Sequence, residues 1–172
     1  MGDYGPALSN LGALRFRAGR YDEVPGLCER AVYASPRDFR VWRSLADAYY
    51  WTGQRDRSVA PRRRAVDLLE EALKIEPDNP SLLAPLADSY AALADGEKAR
   101  RLIARAVKLA PSDRDVLNNA ASVYETLGDR RAALDAVGAL LRAGTDPRDF
   151  ENSQTFAALV KDPGYAKLKS EK

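Results

Sequence analysis

The sequence predicts an all-α protein built as a stack of antiparallel helix pairs, and three observations carry that prediction. An echo with a spacing of 34 residues runs along the chain: Gly19 returns as Gly53, Ala72 as Ala106, Pro77 as Pro111 and Tyr90 as Tyr124. Trp42, Leu45 and Tyr49 stand at i, i+3 and i+7, which is one face of a helix. Pro36, Pro77 and Pro111 recur where the second helix of each pair must stop, because proline cannot continue a helix.

The elements follow in order. The first unit spans 5–38, with helices near 6–18 and 21–34; Gly19 marks the turn inside it, where a positive φ is often needed. The second unit spans 39–79 and is seven residues longer, since Pro36 and Pro77 are 41 apart. The surplus lies in Gln54–Ala65, QRDRSVAPRRRA. Seven residues make about two helical turns. The second helix should therefore start early, with Ser58 as N-cap and Pro61 in its first turn, and project its arginines beyond the stack; a structured loop is the alternative. The third unit spans 80–113; Ala94 takes the glycine slot, Gly96 follows two residues later, and Pro85 should kink or delay the first helix. The fourth unit spans 114–146 and ends on Gly144-Thr145, with Pro147 just beyond. After it the period breaks. Residues 147–172 read as a helical cap: Ser153 would cap a helix holding Phe156, Leu159 and Val160, and Asp162-Pro163 would open a last helix with Tyr165 and Leu168 turned inward. A stack of repeats leaves an apolar end face that a terminal element must cover.

The pattern W-x2-L-G-x2-Y, then A-x3-F, then P at a 34-residue period is the tetratricopeptide signature. The second unit reads Trp42-x2-Leu45-Ala46-x2-Tyr49, and the first has Leu11-Gly12, Gly19, Tyr21, Ala31 and Pro36 in register. On these residues the chain resembles the tetratricopeptide family over most of its length. The resemblance implies a right-handed superhelical solenoid forming a single domain over 1–172. It implies close helix approach at the small eighth-position residues Gly12, Ala46, Ala87 and Ala121. It also implies packing by the pairs Val24/Cys28, Ala65/Leu69, Ala99/Ile103 and Ala133/Val137. The run VWRSLADAYYWTGQ, the RRRAVDLLEEALKIEPDN helix and the tail Phe156-x2-Leu159, Asp162-Pro163-x-Tyr165, Leu168 are similar to tetratricopeptide regions ending bacterial multidomain signalling proteins. Serine/threonine kinases, adenylate cyclases and winged-helix regulators are among these. With Met1-Gly2-Asp3 resembling a trimmed boundary, the chain is expected to be the C-terminal module of a longer protein. That implies a neighbourhood, not an activity.

Composition narrows the function. No apolar run approaches a membrane span and no signal peptide opens the chain, so a cytoplasmic location is expected. The one cysteine fits a reducing compartment, and Cys28 reads as a buried packing thiol. The chain has no histidine, which removes the commonest general base, the usual triads and a credible zinc set. No phosphate-cradling glycine loop is present, and the pairs Glu70/Glu71 and Asp22/Glu23 fall on solvated faces or turns. No enzyme, cofactor or metal is expected. Charge is uneven: residues 1–64 hold twelve Lys/Arg against seven Asp/Glu, densest at Arg55, Arg57, Arg62, Arg63 and Arg64. Nucleic acid or an acidic partner could use that segment, although a solvated helix N-terminus is the reading preferred.

The family resemblance also implies a concave groove lined by the second, fifth, ninth, twelfth and thirteenth positions of each unit. The first unit offers Pro6, Ser9, Ala13, Phe16 and Arg17, and the second Arg40, Arg43, Asp47, Tyr50 and Trp51. The third is nearly bare, while the fourth offers Asp115, Asn118, Ser122, Glu125 and Thr126. Trp, Tyr and Arg are the types enriched at binding hot spots. Asp47 is expected to hold one of the patch arginines, and Trp51 either faces a ligand or packs under the arginine helix. The clamp of the chaperone-binding subfamily is missing, because its slots hold Ser9, Ala13, Ser44, Pro85 and Ala84. The expected function is docking of a peptide or protein segment, from a partner or from the parent chain. The alternative is self-association, as a homo-oligomer, or domain spacing. Nucleic-acid binding through Arg55–Arg64 comes third.

Overall fold

The computed structural model describes residues 4–170, so the boundary reading of Met1-Gly2-Asp3 lies outside the described residues. Ten α-helices follow one another, and no strand occurs among the described residues. They are α1 (Tyr4–Arg17), α2 (Val24–Ala34), α3 (Phe39–Trp51), α4 (Arg55–Ile75), α5 (Pro80–Ala92), α6 (Gly96–Leu109), α7 (Arg114–Thr126), α8 (Arg130–Arg142), α9 (Pro147–Glu151) and α10 (Pro163–Ser170). The chain divides into two units between Ala72 and Leu73.

Each helix has a local reason to start and stop. Asp38, Asn79, Asp113 and Asp146 precede α3, α5, α7 and α9, and their side chains accept from backbone N–H groups of the first turn at 2.9–3.0 Å. Asp95 and Asp129 do the same for α6 and α8. The first helices end alike. Gln54 N–H donates to the Tyr49 carbonyl at 2.8 Å, and Asp95 and Asp129 repeat the bond to Tyr90 and Tyr124. That closure needs a left-handed residue just before it. Gly19, Gly53 and Gly128 supply it, and in the third unit Ala94 adopts φ 64° in the same slot.

In the first unit α1 packs on α2 and α2 on α3. Val24 and Cys28 meet Leu45, Ala48 and Tyr49, while Leu8, Ala31 and Val41 form a second cluster. Burial pushes the Cys28 thiol up to about 11, with Asp47 and Glu29 adding to the effect. Such a thiol packs and does not react. The long second helix is present, but its start corrects the expectation. α4 begins at Arg55, so Ser58 is not its N-cap; the Ser58 hydroxyl donates to the Arg55 carbonyl at 2.6 Å. Pro61 therefore lies inside α4 and not in its first turn.

In the second unit α5 packs on α6 and α7, α6 on α7, and α7 on α8. One cluster runs through Leu83, Ala87, Ile103, Val116, Val123, Val137 and Leu141. Pro85 neither delays nor ends α5, which starts at Pro80 and runs through it. The carbonyl that loses its donor belongs to Ser81, an exposed first-turn residue that water can reach. The tail also departs in detail. Ser153 caps no helix: its N–H donates to the Phe150 carbonyl at 3.1 Å, and a single 3-10 turn at Leu159–Lys161 follows. The helix comes earlier, as α9, because Asp146-Pro147 is a ready-made start. Phe150, Phe156, Leu159 and Tyr165 are buried together with Leu140 and Leu141. Phe156 stands edge-on to Phe150 at 5.4 Å, and the Tyr165 hydroxyl donates to the Pro147 carbonyl at 3.1 Å. A Cβ on Gly138 of α8 would lie 2.9 Å from a Leu168 methyl, so glycine permits the approach of α10.

Candidate interaction surface

On α3 the structure gathers Arg40, Arg43, Asp47, Tyr50 and Trp51 onto one helix, with unequal exposure. Arg40 is exposed and lies 5.0 Å from the Phe39 ring, close to Asp38. Arg43 and Trp51 are half-buried, whereas Tyr50 is 40% exposed. The Tyr50 and Trp51 rings meet edge to face at 4.8 Å, and the Arg55 guanidinium sits 5.0 Å from the Tyr50 centroid. This fixes a partly exposed aromatic pair beneath a cation, which is large contact area at small conformational cost.

Asp47 does not hold Arg40 or Arg43, as the sequence led us to expect. It forms an ion pair with Arg62 of α4, whose side chain is only 8% exposed against 47% for Asp47. The cause is the early start of α4. Arg62 follows Arg55 by two turns, so it faces α3 and not solvent. Arg57 turns inward as well. Its guanidinium donates to the Tyr49 hydroxyl at 2.7 Å and to Glu29 at 3.2 Å, and lies 4.2 Å from the Tyr49 ring. Tyr49 in turn donates to Glu29 at 2.6 Å. Burial, then the Glu29 hydrogen bond, pushes the Tyr49 phenol up to about 12. The basic segment is therefore no solvated row: Arg57 and Arg62 knit α4 to the preceding helices, and Arg55 caps Tyr50. Sequence reasoning missed these roles. The seven-residue surplus contained the signal, since it sets Arg55 and Arg62 at i and i+7.

The other groove candidates are dispersed. Phe16 on α1 packs edge-on against Tyr21 at 4.9 Å, and Arg17 is exposed beside it in sequence. Asn118 and Glu125 lie on α7, in the second unit. Asn118 is exposed, but Glu125 is held by Arg130. Ser122 donates to Asp88 at 2.9 Å, joining α7 to α5. Among the described residues no group of three or more His, Cys, Asp or Glu could hold a metal ion, and no helix is long and apolar enough to cross a membrane.

Comparison with known proteins agrees with this geometry. A tetratricopeptide repeat model matches residues 63–120, and a bacterial transcriptional activator domain model matches residues 6–86. A thermophilic tetratricopeptide protein of Thermus thermophilus is similar at 22% identity and TM-score 0.59, over 96% of this chain and 90% of that one. A putative kinesin light chain of Podospora anserina, with nearly identical tetratricopeptide-like repeats, is similar at 20% identity and TM-score 0.54, over 99% of this chain and 93% of that one. No curated protein matches the chain. The repeated helix pair, the left-handed turn residue and the shared fold make one class: the chain belongs to the tetratricopeptide repeat family.

Proposed function

We propose that the chain is a non-catalytic protein-interaction module whose α3 face receives a peptide or protein segment. The observation that carries the reading is the Tyr50–Trp51 pair, edge to face, partly exposed and flanked by Arg55. Arg40 and Arg43 share the helix and offer forked donors for a carboxylate. A segment with an acidic residue next to an apolar one suits this chemistry best. Phe16 and Arg17, and in the second unit Asn118 and Glu125, complete the groove in our reading of the chain as one domain of four repeats and a cap. The match of residues 6–86 to a bacterial transcriptional activator domain supports a bacterial regulatory setting, with the module working in the cytoplasm as part of a signalling protein.

Acidic–apolar peptides selected by display and titrated by fluorescence anisotropy test the proposal. Arg43→Ala and Trp51→Ala should each weaken the selected peptide at least tenfold while leaving the helical circular dichroism spectrum unchanged. Normal binding by both variants would reject the α3 face. Self-association is the second reading, and concentration-dependent mass insensitive to these variants would favour it. Nucleic-acid binding loses ground because Arg57 and Arg62 are engaged internally.

A further inference from the structure

A second surface follows from comparing the first helices in register. Measured from the small residue they share, the positions five before, one before and two after are Val41, Leu45 and Ala48 around Ala46 of α3, and Val116, Ala120 and Val123 around Ala121 of α7. All six are buried. The helix before each covers them: α2 packs on α3, and α6 packs on α7. Around Gly12 of α1 the same positions are Ala7, Leu11 and Leu14. None of these is buried; Leu11 is 36% and Leu14 59% exposed, with Tyr4 at 60% extending the stripe. α1 thus shows in the open the face that its counterparts bury under a neighbouring helix. Leucine side chains are worth about 1.5–3 kcal/mol each when fully buried.

The occupant is constrained by three facts. A second copy stacked head to tail would have to offer the outer face of α8, but the protein's own tail covers it with Leu159, Tyr165 and Leu168. The residues outside the described structure number three at one end and two at the other, too few for a helix. The charge around the stripe is of one sign: α1 has no acidic residue, and Arg17 stands exposed at its end. We propose that α1 docks a single amphipathic helix of a partner protein. That helix lies where α2 lies on α3, with an apolar i, i+4, i+7 face and acidic residues beside it.

The probe is a synthetic hydrocarbon-stapled peptide carrying the α6 face (Ala99, Leu102, Ile103, Ala106), with its Lys and Arg positions replaced by Glu. Titrated against the full chain by fluorescence anisotropy, it should bind saturably. Leu14→Glu should weaken it at least tenfold. Trp51→Ala should leave it unchanged, which separates this surface from the α3 face. The same peptide with Lys in place of Glu should bind several-fold more weakly. Leu14 is exposed, so Leu14→Glu should keep its circular dichroism spectrum and melting temperature. Equal binding to wild type and Leu14→Glu, equal binding of the Lys peptide, or no saturable binding would overturn the proposal. So would a dimer in sedimentation equilibrium that Leu14→Glu dissociates, since a second copy would then be the occupant.

Discussion

Ala94 occupies a position the chain otherwise reserves for glycine. Its φ of 64° brings Cβ too close to the following carbonyl, a strain glycine does not have. Ala94→Gly should therefore stabilise the protein by up to about 1 kcal/mol, the relief being partly offset by the looser unfolded chain. Gly53→Ala should destabilise it by a similar amount, since a Cβ there meets nothing and only the backbone conformation matters. Urea unfolding measures both signs. Asp47 and Arg62 make a second contrast. Asp47→Ala takes the Asp47 carboxylate away from a buried guanidinium and should cost roughly 1–3 kcal/mol. Arg62→Met, which frees only a half-exposed carboxylate, should cost less; an equal loss in both would argue that packing governs the site and charge does not. The alkaline limb of stability tests the buried network. Cys28 is raised from 9.0 to about 11 and Tyr49 from 10.0 to about 12, so both stabilise in their neutral forms. That stability is complete below pH 9 and falls progressively as pH rises through 9 to 12. Melting temperature should drop over that window, and Tyr49→Phe should make the drop shallower.

At the scale of elements, the tail is where sequence and structure part most usefully. Phe156, Leu159 and Tyr165 were legible as cover because apolar residues beyond the last repeat need a surface to bury. Their arrangement was not legible. Ser153 looks like an N-cap in isolation, yet Asp146-Pro147 seven residues earlier starts the helix first, and Phe150 then serves as the cluster's centre. Helix α4 behaves in a similar way. The two-turn surplus was visible, but Arg55 and Arg62 pack toward α3, a tertiary choice that local propensity does not encode. Pro85 misled because the cost of a proline depends on which carbonyl it orphans, and Ser81 lies in the first turn. Removing the tail after Asp149 exposes Leu140 and Leu141, and takes away four buried side chains worth about 1.5–3 kcal/mol each. The truncated protein should melt lower or aggregate, read by calorimetry and light scattering. An unchanged melting temperature with monomeric mass would show that the tail is ornament.

For the molecule as a whole, a binding role follows from what α3 keeps at its surface after its structural duties are met. Trp42 and Trp51 are its two tryptophans and the chain's only ones. Trp42 donates its indole N–H to the Pro36 carbonyl at 2.8 Å and packs with the clusters of the first unit. Trp51 pairs with Tyr50 instead. A segment that binds the native state alone also raises its melting temperature. The most direct measurement follows the two indole N–H signals by nitrogen-15 NMR during titration of a selected acidic–apolar peptide, with Trp51→Phe assigning them. We predict a saturable shift of the Trp51 signal while that of Trp42 stays in place. Saturable binding that moves neither signal, or moves Trp42 alone, would contradict a binding role for the α3 face.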